Sequence, residues 1–333
     1  TGMLARGYEQ QFAERIYQQI CGFGEYGFPE SHSASFAVLA YVSAYLKYYY
    51  PSAFFCALAN SLPMGFYSLD QLMQDARRHQ VTVLPVDINT SVWEHQLVRQ
   101  GQNFAIRLGL RCVKGFRQQS AQQLVKQRPM AGYRSVSELY QSGLREVELE
   151  ALASSNALAS IAQDRFNSRW QIIDKQQRLP LFGEQSDALP LAPPSKLQDT
   201  LEDYASMGVN MGAHPLCYLR AEGGLQHAKT AQQLRLCRSG ASVTIAGLVT
   251  GRQSPGSAAG VTFLTLEDET GNTNVVVWQA TAKAQQQAFL TARLLEVKGV
   301  IENHQGVIHV IAGRLIDHSD KLPALILKSR FFH

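Results

Sequence analysis

The sequence contains few cysteines, and their spacing does not indicate a metal site. The 333 residues include five cysteines, an odd number, and no pair has the C-x-x-C spacing. Without such a pair a zinc site is not expected, and unpaired thiols are typical of proteins from a reducing compartment. We therefore expect reduced cysteines, no metal bound by this segment and a cytoplasmic location.

A long hydrophobic run is also absent. The most apolar stretch, residues 34–46, is interrupted by serines and tyrosines and ends at Lys47. It is shorter than the roughly 20 residues that cross a bilayer. No signal peptide is visible, and Thr1-Gly2-Met3 is typical of a start inside a larger protein. We expect no membrane partner.

Net charge is small as well. The chain has 31 basic and 27 acidic residues, a formal charge of +4, which is too weak to indicate nucleic-acid binding by itself. Its 45% hydrophobic and 17% charged residues are typical of a folded globular protein. The length suffices for two or three domains. The local distribution of charge is therefore more informative than its sum.

Hydrophobic periodicity in the first part of the chain predicts helices over residues 3–20, 36–48, 53–60 and 69–80, and a β segment over 81–89. Tyr41, Tyr45 and Tyr48 share one face of the second helix. Such an aromatic stripe is more typical of core packing than of a ligand platform.

The most distinctive stretch is residues 22–33, GFGEYGFPESHS. Its glycines let the backbone approach a ligand, and its aromatic rings would enclose the space around it. Ser31 or Ser33 would be the N-cap of the next helix, whose N-terminus attracts an anion such as phosphate. His32 would add a proton or a hydrogen bond. A glycine-rich turn before an ordinary buried helix is the simpler alternative.

The clearest electrostatic signal lies between Phe104 and Arg134, where seven basic residues occur without any Asp or Glu. Leu110-x-x-Val113-Lys114-Gly115-Phe116, followed by Ala121 and Leu124, resembles a helix-hairpin-helix, in which a glycine turn directs backbone amides at a DNA phosphate. Arg117 replaces the usual second glycine and would contact phosphate directly. Plain helical packing is the alternative. The candidate DNA-binding residues are Arg111, Lys114, Gly115, Arg117, Lys126 and Arg128.

From Gln163 to Pro194, four prolines and scattered polar residues predict a linker. Residues 177–182, QRLPLF, resemble a degenerate sliding-clamp-binding peptide, because an extended peptide that ends in apolar side chains docks into paired pockets. Arg178 separates the glutamine from the apolar part, and a linker packed on its own domain is the alternative. The candidate clamp-binding residues are Gln177, Leu179, Leu181 and Phe182.

The last part of the chain predicts five strands, over residues 243–249, 261–267, 272–278, 293–302 and 306–311, with a helix over 281–290 before the fourth. This order is that of an OB-fold, whose open face often binds single strands. Phe263 is also a candidate core residue, whereas Arg252 and Lys298 are expected to be exposed. The candidate stacking and cationic residues are Arg252, Phe263, Trp278, Lys298 and His309.

The stretches at residues 7–16, 22–37, 60–67 and 85–89 resemble bacterial C-family DNA polymerases. The error-prone, damage-inducible branch is the most similar, since replicative members usually have Asn-Lys in place of Pro29-Glu30. The resemblance covers nearly the whole chain and implies the C-terminal half of such a polymerase, a multidomain protein. It implies an all-α fingers segment (1–96), a helix-hairpin-helix domain (97–165), a linker with a clamp-binding peptide and a small helical piece (166–238), an all-β OB-fold barrel (239–318) and a tail (319–333).

The resemblance implies a DNA-directed DNA polymerase active in damage-induced mutagenesis and translesion synthesis. It places Gly24, Tyr26, Ser31, His32 and Ser33 near the incoming nucleotide, the hairpin on duplex DNA and the OB-fold on the template strand. The Mg²⁺ carboxylates of such enzymes lie in an upstream palm domain. No paired acidic spacing occurs here, and Asp268 and Glu269 are expected turn residues, so we expect the fragment alone to be inactive.

The implied partners are primer-template and single-stranded DNA, a sliding clamp and mutagenesis accessory proteins. Two other classes of function are open at this point. One is a non-catalytic DNA-binding or scaffold module that recruits a polymerase or clamp. The other is a fragment of a synthetase whose OB-fold binds RNA.

Overall fold

The computed structural model describes residues 3, 6–26, 30–65, 67–177, 193–254, 260–304, 306–322 and 330–332. Two compact units divide the chain at Phe55: Thr1–Phe55 and Cys56–His333. Gln177 ends a helix, and the rest of the predicted clamp-binding peptide, with Leu179, Leu181 and Phe182, lies outside the described residues.

The first unit is helical. Helix α1 spans Gln10–Tyr26, α2 spans Glu30–Tyr49, and α3, Pro51–Asn60, crosses into the second unit. Helix α1 begins and ends later than predicted, and α2 is longer than predicted. Gly22 and Gly24 lie inside α1 rather than in a loop, because a glycine costs a helix only about 1 kcal/mol relative to alanine.

The tyrosine stripe of α2 is not buried. Tyr41, Tyr45 and Tyr48 are 73%, 45% and 78% exposed, so the expectation that they form core contacts is wrong for this chain. The apolar spacing of a helix indicates which face packs against another surface, but it does not identify that surface. No helix among the described residues is both long enough and apolar enough to cross a membrane.

The second unit begins with helices and a small sheet. Helix α4, Leu69–Arg78, starts at a capping box, in which Ser68 Oγ accepts from the Gln71 amide at 3.2 Å and the Gln71 side chain accepts from the Ser68 amide. Strands β1 (Val83–Leu84), β2 (Gln96–Gln100) and β3 (Asn103–Arg107) form a sheet in the order β1-β3-β2. The predicted β segment over 81–89 is therefore only two residues long.

Five helices follow the sheet: α5 (Gln118–Gln127), α6 (Val136–Gln141), α7 (Glu146–Ser154), α8 (Ala159–Ala162) and α9 (Arg165–Gln177). Their leucines form the predicted core, in which each is at most 8% exposed: Leu139, Leu144, Leu149, Leu152 and Leu158. Helices α10 (Lys196–Ser206), α11 (Pro215–Ala221) and α12 (Ala231–Leu234) then lead to the barrel.

The five predicted strands of the last domain are confirmed as β4 (Ser242–Gln253), β5 (Thr262–Asp268), β6 (Gly271–Val277), β7 (Leu294–His304) and β8 (Val307–Asp317). The order is β5-β6-β8-β7-β4, and pairing of β4 with β5 closes the barrel. The predicted single helix is two, α13 (Gln279–Ala284) and α14 (Gln286–Thr291). A short strand β9, Arg330–Phe332, runs parallel to the end of β4.

Side chains fill the inside of this barrel, and helices cover part of its outside. The inner cluster includes Leu264, Val275 and Val297, whereas Leu248 and Leu294 belong to an outer cluster with residues of α10 and α11. The turn between β5 and β6 is closed by Asp268, whose Oδ1 accepts from the Thr270 and Gly271 amides at 2.7 and 3.0 Å. Asp268 is therefore a turn residue, as the sequence predicts.

Strands β7 and β8 approach each other closely at Gly299, and a substitution there tests this packing. A Cβ at Gly299 would lie 2.2 Å from the Ile311 carbonyl oxygen, whereas one at Gly251 would lie 3.6 Å from Thr265 Oγ1. We expect Gly299→Ala to lower the free energy of unfolding of the barrel by about 1–3 kcal/mol, because the strands must separate. Urea denaturation measures this loss. Gly251→Ala is the control, and equal losses in the two variants would contradict the prediction.

Candidate nucleic-acid interface

The predicted hairpin is present, with a shorter first element than expected. Leu110–Cys112 forms one turn of 3-10 helix rather than an α-helix, Gly115 follows with φ +83°, and α5 begins at Gln118. Arg117 is the N-cap of α5 with φ −95° and ψ 147°. This is ordinary extended backbone, which any residue adopts, so the second glycine of the usual pattern is not required.

Arg111 is not available to DNA in the way the sequence predicts. Its guanidinium donates to the carbonyl oxygens of Asn60 and Leu62 at 2.7 and 3.0 Å and pairs with Glu94. Backbone carbonyls that lack a partner in a packed region destabilise the fold. Arg111 therefore supports the chain that follows α3.

Lys114 also binds within the protein. Its Nζ donates to the carbonyl oxygens of Tyr204 and Ala205 at 2.9 and 2.8 Å, and its backbone amide donates to Ser206 at 2.8 Å. These carbonyls lie in the last turn of α10, where that of Tyr204 also accepts from the Gly208 amide at 3.1 Å. Burial lowers the pKa of Lys114. The predicted DNA contact is thus a cap on α10.

Arg128 also donates to a backbone carbonyl group within the protein. Its Nη2 donates to the Ser91 carbonyl oxygen at 2.5 Å, and burial lowers its pKa. Arg107 donates to the Pro85 carbonyl oxygen at 3.0 Å. Four of the seven cations in the basic stretch therefore bind backbone carbonyls. The other three, Arg117, Lys126 and Arg134, are exposed.

Glu148 and Arg145 join this region, although the sequence reasoning did not select them. Glu148 is fully buried, and its Oε1 lies 2.9 Å from Arg117 Nε and accepts from Ser120 Oγ at 2.5 Å. Its Oε2 lies 3.3 Å from Arg145 Nε and accepts from the Arg145 amide at 3.1 Å. Burial by itself would raise the pKa of Glu148, but these hydrogen bonds together outweigh it and lower the pKa to about 2.

In the barrel, Arg252 is buried, and the expectation that it is exposed is wrong. It is 3% exposed, and its guanidinium donates to the carbonyl oxygens of Phe289 at 3.0 Å and Ala292 at 2.5 Å. Its register partner is Leu264, a core residue, so alternation along β4 turns Arg252 toward the barrel interior. Burial lowers its pKa.

Phe263 lies on the opposite side of β5. Leu264 and Leu266 fill the core, whereas Phe263 is only partly buried and pairs in register with Gln253 and Val276. Its expected place in the core is therefore wrong. Trp278, directly after β6, is 53% exposed. His309 of β8 pairs in register with Asn274 of β6, which also faces outward.

Lys298 is exposed as expected, but on a different part of the barrel. It lies on β7, between β4 and β8, and its Nζ is 3.9 Å from Glu296 Oε1. The structure therefore brings Phe263, Trp278 and His309 onto the outer side of neighbouring strands. Arg252 and Lys298 do not join them.

The nucleotide-proximal candidates lie in the first unit. Gly24 and Tyr26 are in the last two turns of α1, and Ser31, His32 and Ser33 are in the first turn of α2. Because α2 begins at Glu30, neither Ser31 nor Ser33 is its N-cap. The His32 ring packs on Phe36 with 4.4 Å between centroids. Residues 27–29, between the two helices, lie outside the described residues.

Family models match both folded parts of the second unit. The helix-hairpin-helix motif matches residues 80–168, and the OB-fold nucleic acid binding domain matches residues 243–317. Together with the glycine hairpin and the closed barrel, these matches define a protein in which a helix-hairpin-helix domain precedes an OB-fold of the nucleic acid binding class.

Similarity to individual proteins is more specific than these family matches. A protein named error-prone DNA polymerase from Vibrio vulnificus is 56% identical over 336 residues, which cover all of this chain and 33% of the relative. Proteins of the same name from Vibrio campbellii and Idiomarina loihiensis are 54% and 52% identical, again over all of this chain and 33% of their own length. The chain is thus homologous over its full length to a region of the bacterial error-prone DNA polymerases, as the resemblance predicts.

The chain spans about a third of the length of the curated relatives it matches, not half as the sequence led us to expect. Among solved structures, asparaginyl-tRNA synthetase from Pyrococcus horikoshii is 21% identical over 27% of this chain and 22% of its own, with a TM-score of 0.25. That likeness is too weak to support a conclusion.

The low pKa of Glu148 predicts a pH dependence of stability. A carboxyl with a folded pKa of about 2 and an unfolded value of 4.5 stabilises the protein above the unfolded value, and this is lost as pH falls toward 2. We expect Glu148→Gln to lower the free energy of unfolding at pH 7 by on the order of 2–3 kcal/mol. Urea denaturation from pH 7 to pH 2.5 measures the difference between the two proteins, which should shrink as pH falls. A constant difference would contradict the assignment.

Proposed function

We propose that this chain is the C-terminal, DNA-binding region of an error-prone DNA polymerase that acts in damage-induced mutagenesis and translesion synthesis. The proposal rests on similarity, over the whole of this chain, to proteins of that name. In the whole polymerase, the first unit contributes Gly24, Tyr26, Ser31, His32 and Ser33 near the incoming nucleotide. The helix-hairpin-helix domain binds duplex DNA, and the barrel binds the template strand.

Polymerisation itself needs carboxylates that hold Mg²⁺. Within the part of the chain that the structure describes, no three His, Cys, Asp or Glu side chains are grouped so as to hold a metal ion. These residues therefore do not fit the Mg²⁺ site of a polymerase. We assign that site to a palm domain elsewhere in the enzyme and expect this chain alone to be inactive in primer extension.

The duplex contact rests on the exposed cations of the basic stretch, Arg117, Lys126 and Arg134. Cations that neutralise DNA phosphates release counterions, so this contact is independent of sequence and sensitive to salt. The single-strand contact rests on Phe263, Trp278 and His309, since aromatic rings on the outer side of an OB-fold stack with bases of any sequence. The cytoplasmic location, accessory proteins and the clamp contact through Gln177, Leu179, Leu181 and Phe182 are part of the same proposal.

A salt series on duplex binding tests the hairpin domain. We expect the double variant Lys126→Glu/Arg134→Glu to weaken binding to labelled primer-template and to reduce the slope of log affinity against log salt by about two. Lys114 is left unchanged because it caps α10. The charge reversal Arg99→Glu, on the exposed strand β2, is the control.

Three other outcomes of this experiment have distinct meanings. If the unaltered chain does not bind DNA at low salt, the duplex contact is wrong and the scaffold alternative gains support. If it binds RNA more tightly than DNA of the same sequence, the polymerase proposal is contradicted in favour of an RNA-binding enzyme. An unchanged salt slope in the double variant would place the contact elsewhere on the chain.

The barrel has its own test. We expect Trp278→Ala to weaken binding to single-stranded DNA by about 1–3 kcal/mol, the range for loss of one stacked base, and to leave duplex binding unchanged. Fluorescence anisotropy with a labelled oligothymidine measures the loss. Leu236→Ala removes a side chain that is 87% exposed and serves as the control for nonspecific surface effects. Equal affinities for Trp278→Ala and the unaltered chain would contradict the proposed face.

A further inference from the structure

The hairpin that ends at Arg117 occurs twice. Gly115-Phe116-Arg117 precedes α5, and Gly143-Leu144-Arg145 precedes α7 in the same way. Both glycines have positive φ, +83° and +79°. Phe116 and Leu144 are both buried, and both arginines are N-caps with extended backbone. The two segments are therefore structurally equivalent.

The contacts between the two hairpins are reciprocal. A Cβ on Gly115 would lie 3.9 Å from Ala151, and one on Gly143 would lie 3.2 Å from Gln123, the equivalent residue of the other helix. The third residues of the two helices, Ser120 and Glu148, meet in a hydrogen bond of 2.5 Å. These pairs indicate a local twofold pseudosymmetry whose axis passes between Ser120 and Glu148.

The pseudosymmetry places two arginines on one carboxylate. Arg117 Nε is 2.9 Å from Glu148 Oε1, and Arg145 Nε is 3.3 Å from Oε2. Each arginine side chain is 53% exposed, whereas that of Glu148 is 1% exposed. The carboxylate contacts both guanidiniums through Nε, and Arg117 Nη2 also donates to Ser120 Oγ at 3.4 Å. The Nη1–Nη2 edge of a guanidinium can bind a phosphate bidentately while Nε holds the carboxylate.

We propose that Arg117 and Arg145 together bind one backbone phosphate of DNA, and that Glu148 is the positioning residue that holds them as a pair. Two adjacent guanidiniums repel one another, and the buried carboxylate offsets that repulsion. It also orders both side chains before DNA arrives, which reduces the entropy lost on binding. This inference rests on the duplex contact proposed above.

The salt dependence of duplex binding by the 333-residue chain tests the pair. We expect Arg117→Gln and Arg145→Gln each to weaken binding by about three- to tenfold but to leave the salt slope nearly unchanged, because the remaining arginine still neutralises the phosphate. The double variant loses that phosphate contact, so its slope should fall by about 0.9, the value for one phosphate. Arg99→Gln, which also removes one exposed positive charge, should leave the slope unchanged.

Glu148→Gln separates positioning from net charge. This variant loses one negative charge, so a purely electrostatic effect would tighten DNA binding. We expect it instead to weaken binding about as much as the loss of one arginine, and to have no effect when both arginines are already glutamine. Circular dichroism at the assay temperature establishes that the variant is folded. If it does not fold, Ser120→Ala, which removes only the hydroxyl contact to Glu148, takes its place, with a smaller loss expected.

Several results would overturn the inference. A slope that falls by about two in the double arginine variant would mean two separate phosphates. Unchanged binding by Arg145→Gln, or unchanged or tighter binding by Glu148→Gln, would show that Glu148 does not prepare a shared site. If Lys126→Glu/Arg134→Glu weakens binding while Arg145→Gln does not, the duplex contact stands and this inference alone fails.

Discussion

One buried guanidinium joins the helical domain to the segment that leads to the barrel. Arg165, the first residue of α9, is 2% exposed, and it donates to the Ser154 carbonyl oxygen at 2.9 Å and to Asp203 Oδ1 at 2.8 Å. A buried cation without partners destabilises a protein by several kcal/mol, so the position of α10 against α7 depends on this arginine. The other oxygen of Asp203 accepts from the Met211 amide at 3.0 Å, which fixes the turn before α11.

Local sequence predicted the elements of the hairpin domain but not the use of its charges. Gly115 marks a turn because its backbone conformation favours glycine, and this information is contained in a few residues. Whether the side chains of Arg111 and Lys114 are engaged within the protein depends on carbonyl groups at Asn60 and Tyr204, far away in the sequence. The repeat of Gly115-Phe116-Arg117 at Gly143-Leu144-Arg145 was visible in the sequence, and comparing the two segments would have identified Arg145.

In the barrel, too, the strands were predicted correctly but the burial of their side chains was not. Alternation along β4 and β5 predicted strands with two faces, but it did not predict which face is enclosed. Pairing of β4 with β5 closes the barrel so that Leu264 and Arg252 share the inner side, and Phe263 is left outside. Arg252 tolerates this position because carbonyl groups at the end of α14 accept hydrogen bonds from its guanidinium. A scale of residue hydrophobicity would instead predict that Phe263 is buried and that Arg252 is exposed.

Helix α10 is held from both sides. Lys114 of the hairpin binds its last carbonyls, and Tyr204 packs in the same apolar cluster as Leu294 of the barrel. A rotation of the barrel against the hairpins would have to break these contacts. The distance between the hairpin domain and the barrel is therefore set by packing rather than by the length of a connecting segment. Under the function proposed above, a strand that touches both domains spans a fixed number of nucleotides between them.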